Sequence, residues 1–231
     1  MKHLFILFFL SFSLLGFAQK DNSSNTALLL NYVQTRPVSD PNSLGYEAFR
    51  KDIRYFEVIL KDGLYSYRKL PKSISMVNIM DEKVYVGINF KDSTTIQQAD
   101  RLGKKFLIKD KLPKEEWVIL DSTRIVGGWN CKLAVKKNDS WQKAWFTMDF
   151  PVACGPLGEC GLPGLIVSYE FDNVILTLES IEKVDKEVAP APKGDKSMTI
   201  DEYTKFSQKA NQEWRDEQLK IAEEFAKKNK Q

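Results

Sequence analysis

The chain has 231 residues, with 34 Lys and Arg against 31 Asp and Glu, a formal net charge of +3 and 43% hydrophobic residues. With both signs interspersed, this balance excludes the clustered basic surface of a nucleic-acid-binding protein. The only histidine is His3, so once the leader described next is removed no imidazole remains, which excludes Ser-His-Asp and Cys-His nucleophilic sites and histidine metal sites.

Residues 1–18 carry Lys2, an apolar run from Leu4 to Leu15 and a small residue, Ala18, at the expected cut. This is the pattern of a secretory signal peptide, and the run is too short for the ~20 residues that span a bilayer. Cleavage after Ala18 is expected, with no transmembrane segment thereafter and a periplasmic or secreted location. The rest is long enough for one sizeable core.

A first strand, or in its place a short helix, is expected over Thr26 to Val33, a loop over Arg36 to Gly45 and a short helix over Tyr46 to Arg54. Phe56 to Leu60 and Leu64 to Tyr67 flank Asp62-Gly63, a pair suited to the positive φ angles of a two-residue hairpin turn. Further short runs, at Val84 to Ile88, Thr94 to Gln98, Phe106 to Ile108 and Trp117 to Leu120, continue an antiparallel sheet. The central pair is Ile125 to Lys136 with Trp141 to Met148. Trp129, Cys131, Leu133 and Val135 share one face of its first strand, with Asn130, Lys132 and Lys136 on the other. Gly127-Gly128 predicts a bulge or bend within that strand. Leu165 to Phe171 and Val174 to Ile181 form a closing hairpin around Asp172-Asn173.

Residues 19–187 thus constitute a β domain, 188–197 a Pro/Ala linker and 198–229 a helix opened by a Thr199–Glu202 capping box. Ile200, Tyr203, Phe206, Ala210, Trp214, Ile221 and Phe225 fall at helical spacing. The fold class is mainly β (α+β): a curved antiparallel sheet, half-barrel or sandwich, followed by one long amphipathic helix.

Between the central pair and the closing hairpin lies Pro151 to Ile166, rich in glycine and proline and holding two cysteines. Cys154 and Cys160 enclose five residues, a spacing that favours a structural disulfide over a redox centre in an oxidising compartment. Cys131 is then left as a small buried hydrophobe, although its pairing with either of the others stays open. Leu162-Pro163-Gly164-Leu165 fits a type II turn, with Gly164 supplying positive φ.

Gly161 to Ile166 reads GLPGLI, and with Phe106 to Asp110, Trp117, Ile125 to Ala134, Ala144 to Thr147 and Gly155-Pro156 it resembles the GLPGLI family of exported Bacteroidetes proteins. The resemblance covers residues 26–183. It implies export and an envelope setting, and transfers no catalytic residue.

The expected function is a non-enzymatic binding module for an apolar ligand or peptide, with no cofactor and no metal. Trp129, Trp141, Trp145, Leu162, Leu165 and Ile166 are the candidate cleft residues, on the aromatic density of the central pair; ordinary core packing of the tryptophans is the competing reading. Partners are an envelope protein, a peptide or a lipid-like molecule. The alternatives are assembly through the C-terminal helix and, less favoured, a hydrolase using paired carboxylates.

Overall fold

Two-residue hairpin turns set the course of the chain in the computed structural model, which describes residues 26–37, 42, 46–74, 82–101, 104–194 and 196–228. The proposed leader, residues 1–18, lies outside the described residues. Strand β1 (Ala27–Thr35) and the short helix α1 (Tyr46–Lys51) precede β2 (Arg54–Lys61) and β3 (Leu64–Lys69). The turn between β2 and β3 has φ of 52° at Asp62 and 79° at Gly63, as the Asp-Gly pair requires. Strands β4 (Glu82–Asn89), β5 (Thr94–Arg101) and β6 (Lys104–Lys111) continue the meander.

The second half repeats the device. Strands β7 (Trp117–Val126), β8 (Trp129–Lys136) and β9 (Asp139–Thr147) lead into the glycine-rich loop, and β10 (Leu165–Phe171) and β11 (Val174–Val184) follow it. Gly127 and Gly128, with φ of 56° and 90°, form the turn between β7 and β8. They therefore reverse the chain between two strands, where a bulge or tight bend within one strand was expected; two consecutive positive φ values match the twist of a tight hairpin.

All the strands join one open sheet in the order β12-β6-β5-β4-β3-β2-β1-β11-β10-β9-β8-β7, where β12 is Lys196–Met198. Among the described strands only β12, against β6, is parallel. From β4 to β8 is seven steps, roughly 34 Å on a flat sheet at about 4.8 Å per strand. Yet Lys83 of β4 and Lys136 of β8 line one cavity. The sheet is therefore strongly curved, and its inner face carries the main core: Tyr32, Phe56, Val58, Tyr65, Tyr67, Val86, Ile88, Phe146, Tyr169 and Leu176 are all buried there. Edge strand β7 leaves Val118, Ile119 and Leu120 exposed, and its register with β8 shifts between Ile119 and Thr123. Such an irregularity discourages pairing with another chain.

The extended Pro/Ala linker packs on the sheet. The Tyr85 hydroxyl donates to the Ala189 carbonyl at 2.8 Å, the Ala189 N–H to Ser66 Oγ at 2.9 Å and the Gln98 amide to the Lys193 carbonyl at 2.7 Å. Helix α2 (Ile200–Lys228) then begins at the capping box: the Thr199 N–H donates to Glu202 Oε2 at 2.8 Å and the Glu202 N–H to Thr199 Oγ1 at 3.2 Å. Asp110 Oδ2 takes the Ile200 N–H, and Tyr203 and Phe206 pack on Phe106 of β6. Beyond Asn211 the described side chains of α2 are exposed, Trp214 among them.

The turn reading of the GLPGLI stretch needs correction. Gly164 does not have positive φ; Gly161 does, at 98°. A Cβ on Gly164 would stand 2.1 Å from the Thr147 carbonyl oxygen, so glycine lets the loop lie directly against the end of β9. Gly164→Ala is expected to cost roughly 3 kcal/mol or more in urea denaturation, because backbone must move. Gly128→Ala, where no atom lies within 4 Å of the added Cβ, is expected to cost only about 1 kcal/mol for its φ. Equal losses would contradict the packing role of Gly164.

Candidate functional site

After Thr147 the chain crosses the hollow of the curved sheet before β10 begins. Short bonds fold this loop on itself: the Gly155 N–H donates to the Glu159 carbonyl at 2.8 Å, and the Gly161 N–H to that of Ala153 at 2.9 Å. The Cys154–Cys160 disulfide closes it around a single 3-10 turn, Pro156–Gly158. Cys131 is free and buried, and burial pushes its thiol up, away from a reactive thiolate.

Two aromatic side chains pin the loop from the sheet. The Tyr65 hydroxyl donates to the Gly155 carbonyl at 2.8 Å and accepts the Gly158 N–H at 2.9 Å. The Trp117 indole N–H donates to the Cys160 carbonyl at 3.0 Å. Leu157, held at φ 60°, is pushed outward between two cavities and lines both.

Those cavities, of about 430 and 360 Å³, also share Lys83, Lys136 and Glu159, so they form one cleft with a common wall. Val86, Ile88 and Ile108 line the first, together with Ile200 and Tyr203 of α2. Phe56, Tyr67, Tyr169 and Phe171 line the second. Apolar walls with a few fixed polar groups are the usual composition of a small-molecule site of this size.

The polar groups of the shared wall are organised around Lys136. Its ammonium lies 2.8 Å from Glu159 Oε2 and 3.1 Å from Glu115 Oε2. Burial alone would lower this lysine, but the two carboxylates outweigh it and hold it above the ordinary lysine range. The Tyr169 hydroxyl reaches Gln142 Oε1 at 2.5 Å and Glu159 Oε1 at 3.2 Å. Burial, reinforced by the Glu159 charge, pushes this phenol well above its ordinary value, so it stays a neutral donor. Each carboxylate is thus an ion-pair partner of one lysine, unlike the open pair that glycoside hydrolysis uses. Among the described residues no group of three His, Cys, Asp or Glu side chains is placed to hold a metal ion.

The six residues expected at a cleft are dispersed. Leu162, Leu165 and Ile166 are core, at 2%, 0% and 0% exposure. Trp141 is 81% exposed. Trp145 pairs across strands with Leu133, on the opposite face from Ala144 and Phe146, and lies under the Arg124 guanidinium at 4.0 Å. Trp129 is half-buried against Phe150. None of the six lines the cleft.

Lys83, Lys136, Gln142, Leu157, Glu159 and Tyr169 do line it, and sequence reasoning passed over them. Lys136 had been placed with Asn130 and Lys132 on the polar face, which turns inward near the end of β8. One signal was available: Glu159 is the sole charged residue between two cysteines that a short loop draws inward.

A family model described as a protein of unknown function, Porph_ging, matches residues 89–168, a segment running from the end of β4 into β10 and containing the GLPGLI stretch. No curated protein matches the chain. Structures of PNGF-II solved in the P21 and C2 space groups share the fold, with TM-scores of 0.52 and 0.51 at 17% and 16% identity. Each comparison covers 80% of this chain, which spans about a third of PNGF-II (34% and 33%).

Replacing Cys154 and Cys160 together by serine is expected to cost about 2 kcal/mol, the chain-entropy value for so short a loop. Urea denaturation with and without reductant measures it. The wild type should lose a similar amount on reduction and the variant nothing; a variant as stable as the oxidised wild type would contradict a structural clasp.

Proposed function

We propose that this protein is an exported, non-enzymatic binding module of the GLPGLI type, whose ligand enters the cleft between the disulfide-closed loop and the inner face of the sheet. The observation that carries the reading is the pair of adjoining cavities with a shared wall, apolar on their flanks and fixed by hydrogen bonds and ion pairs at the junction. A small molecule with an apolar body fits this lining. An extended peptide fits it less well, because strand addition needs a free sheet edge and the strands that line the cleft lie within the sheet.

Export is supported by the leader pattern of residues 1–18 and by the Cys154–Cys160 disulfide, which persists in an oxidising compartment. No described helix is long and apolar enough to cross a membrane. The GLPGLI assignment rests on residues 161–166, a stretch that the Porph_ging family match over residues 89–168 spans.

A neutral fluorescent probe, N-phenyl-1-naphthylamine, tests the cleft without regard to charge. Saturable binding of one probe per chain is expected, and Leu157→Trp, which fills the wall common to both cavities, should abolish it without lowering the melting temperature. Absence of saturable binding, or equal binding by the variant, would remove the cleft as the site.

A further inference from the structure

The cations of the cleft are not equivalent. Lys136 is held by Glu115 and Glu159, and Arg36, at the rim of the second cavity, is held by Asp52 at 3.1 Å. Lys83 lines both cavities, and among the described residues no carboxylate lies within ion-pair distance of it and no hydrogen bond takes its ammonium. It stands on β4 beyond the register shift between Lys83 and Tyr85 and pairs across strands with Ala99, which directs it into the hollow.

From this asymmetry we infer that the ligand is a small amphipathic molecule with a single anionic head, and that Lys83 holds the head while Leu157 and the aromatic or aliphatic walls hold the body. The inference rests on the binding-module reading of the same cleft. A cationic head would meet Glu115 and Glu159 already occupied by Lys136. A neutral head would leave the Lys83 ammonium at the cleft with no counter-charge in direct contact. An anionic head completes the set, forming a charge-assisted hydrogen bond with the ammonium. Lys83 is exposed to solvent while its side chain lines both cavities. Desolvation by the surrounding protein lowers its affinity for a proton, an effect countered by Glu159 and Glu115 and reinforced by Lys136. Carboxylate and phosphate heads share the required chemistry.

Calorimetric titration below the micellar range with dodecanoate, dodecyl phosphate, dodecanol and dodecylammonium separates the possibilities. Either or both anionic probes should bind about tenfold or more tighter than dodecanol, and dodecylammonium weakest. The identity of the tighter anion tells a carboxylate from a phosphate head. Lys83→Met should remove the preference for the anions over dodecanol, and Lys83→Arg should retain it; the melting temperature of each variant checks its fold. If dodecanol binds as well as the anions, or Lys83→Met keeps their advantage, the inference fails and the cleft stands. If no probe binds, including the neutral naphthylamine, both fail.

Discussion

The fold depends on filling the hollow of a curved single sheet with its own loop. A sheet with one apolar face must bury it against a second layer, and helix α2 covers only the neighbourhood of β6. For the rest, the layer is the stretch after β9, stapled at Cys154–Cys160. Hydrogen-bond donors from separate strands fasten it or the start of β10: Tyr32 to the Ile166 carbonyl at 2.5 Å, Tyr65 to Gly155 and Trp117 to Cys160. Burial raises both phenols well above their ordinary value, so they remain neutral donors to the carbonyls of Ile166 and Gly155.

The cleft is what this filling leaves over. A loop made to fold tightly on itself cannot match the curved face everywhere, and at its tip Leu157 takes a positive φ that carries its side chain between two remaining spaces. Glu159, two residues on, is drawn 93% into the interior and obliges the structure to supply a counter-charge, which Lys136 provides. The same loop therefore creates the volume and the charge that lines it. Helix α2 closes one flank through Ile200 and Tyr203, with its first turn fixed by Thr199, Glu202 and Asp110.

Local chemistry was readable and long-range chemistry was not. Asp62-Gly63, Asp172-Asn173 and the Thr199–Glu202 capping box each depend on neighbours within a few residues, and each appears where the residues predict it. The disulfide followed from spacing and from the compartment that the leader pattern predicts. Gly164 was misread because a turn and a close backbone approach both select glycine, and only the position of Thr147 distinguishes them. The tryptophans misled for a related reason: period-two alternation assigns Trp145 to a face but does not say which face becomes the interior of a curved sheet. Lys136 and Lys83 look like surface charges until the curvature brings β8 and β4 together.

The central claim is that the loop after β9 is part of the interior. Native-state hydrogen exchange tests it at the N–H groups of Gly155, Gly158, Gly161 and Ile166, whose acceptors are Glu159, the Tyr65 hydroxyl, Ala153 and Cys154. These amides should exchange only through an opening as costly as that which exposes the centre of β1 and β10. Exchange at the rate of a solvent-exposed loop, with the strands still protected, would contradict it.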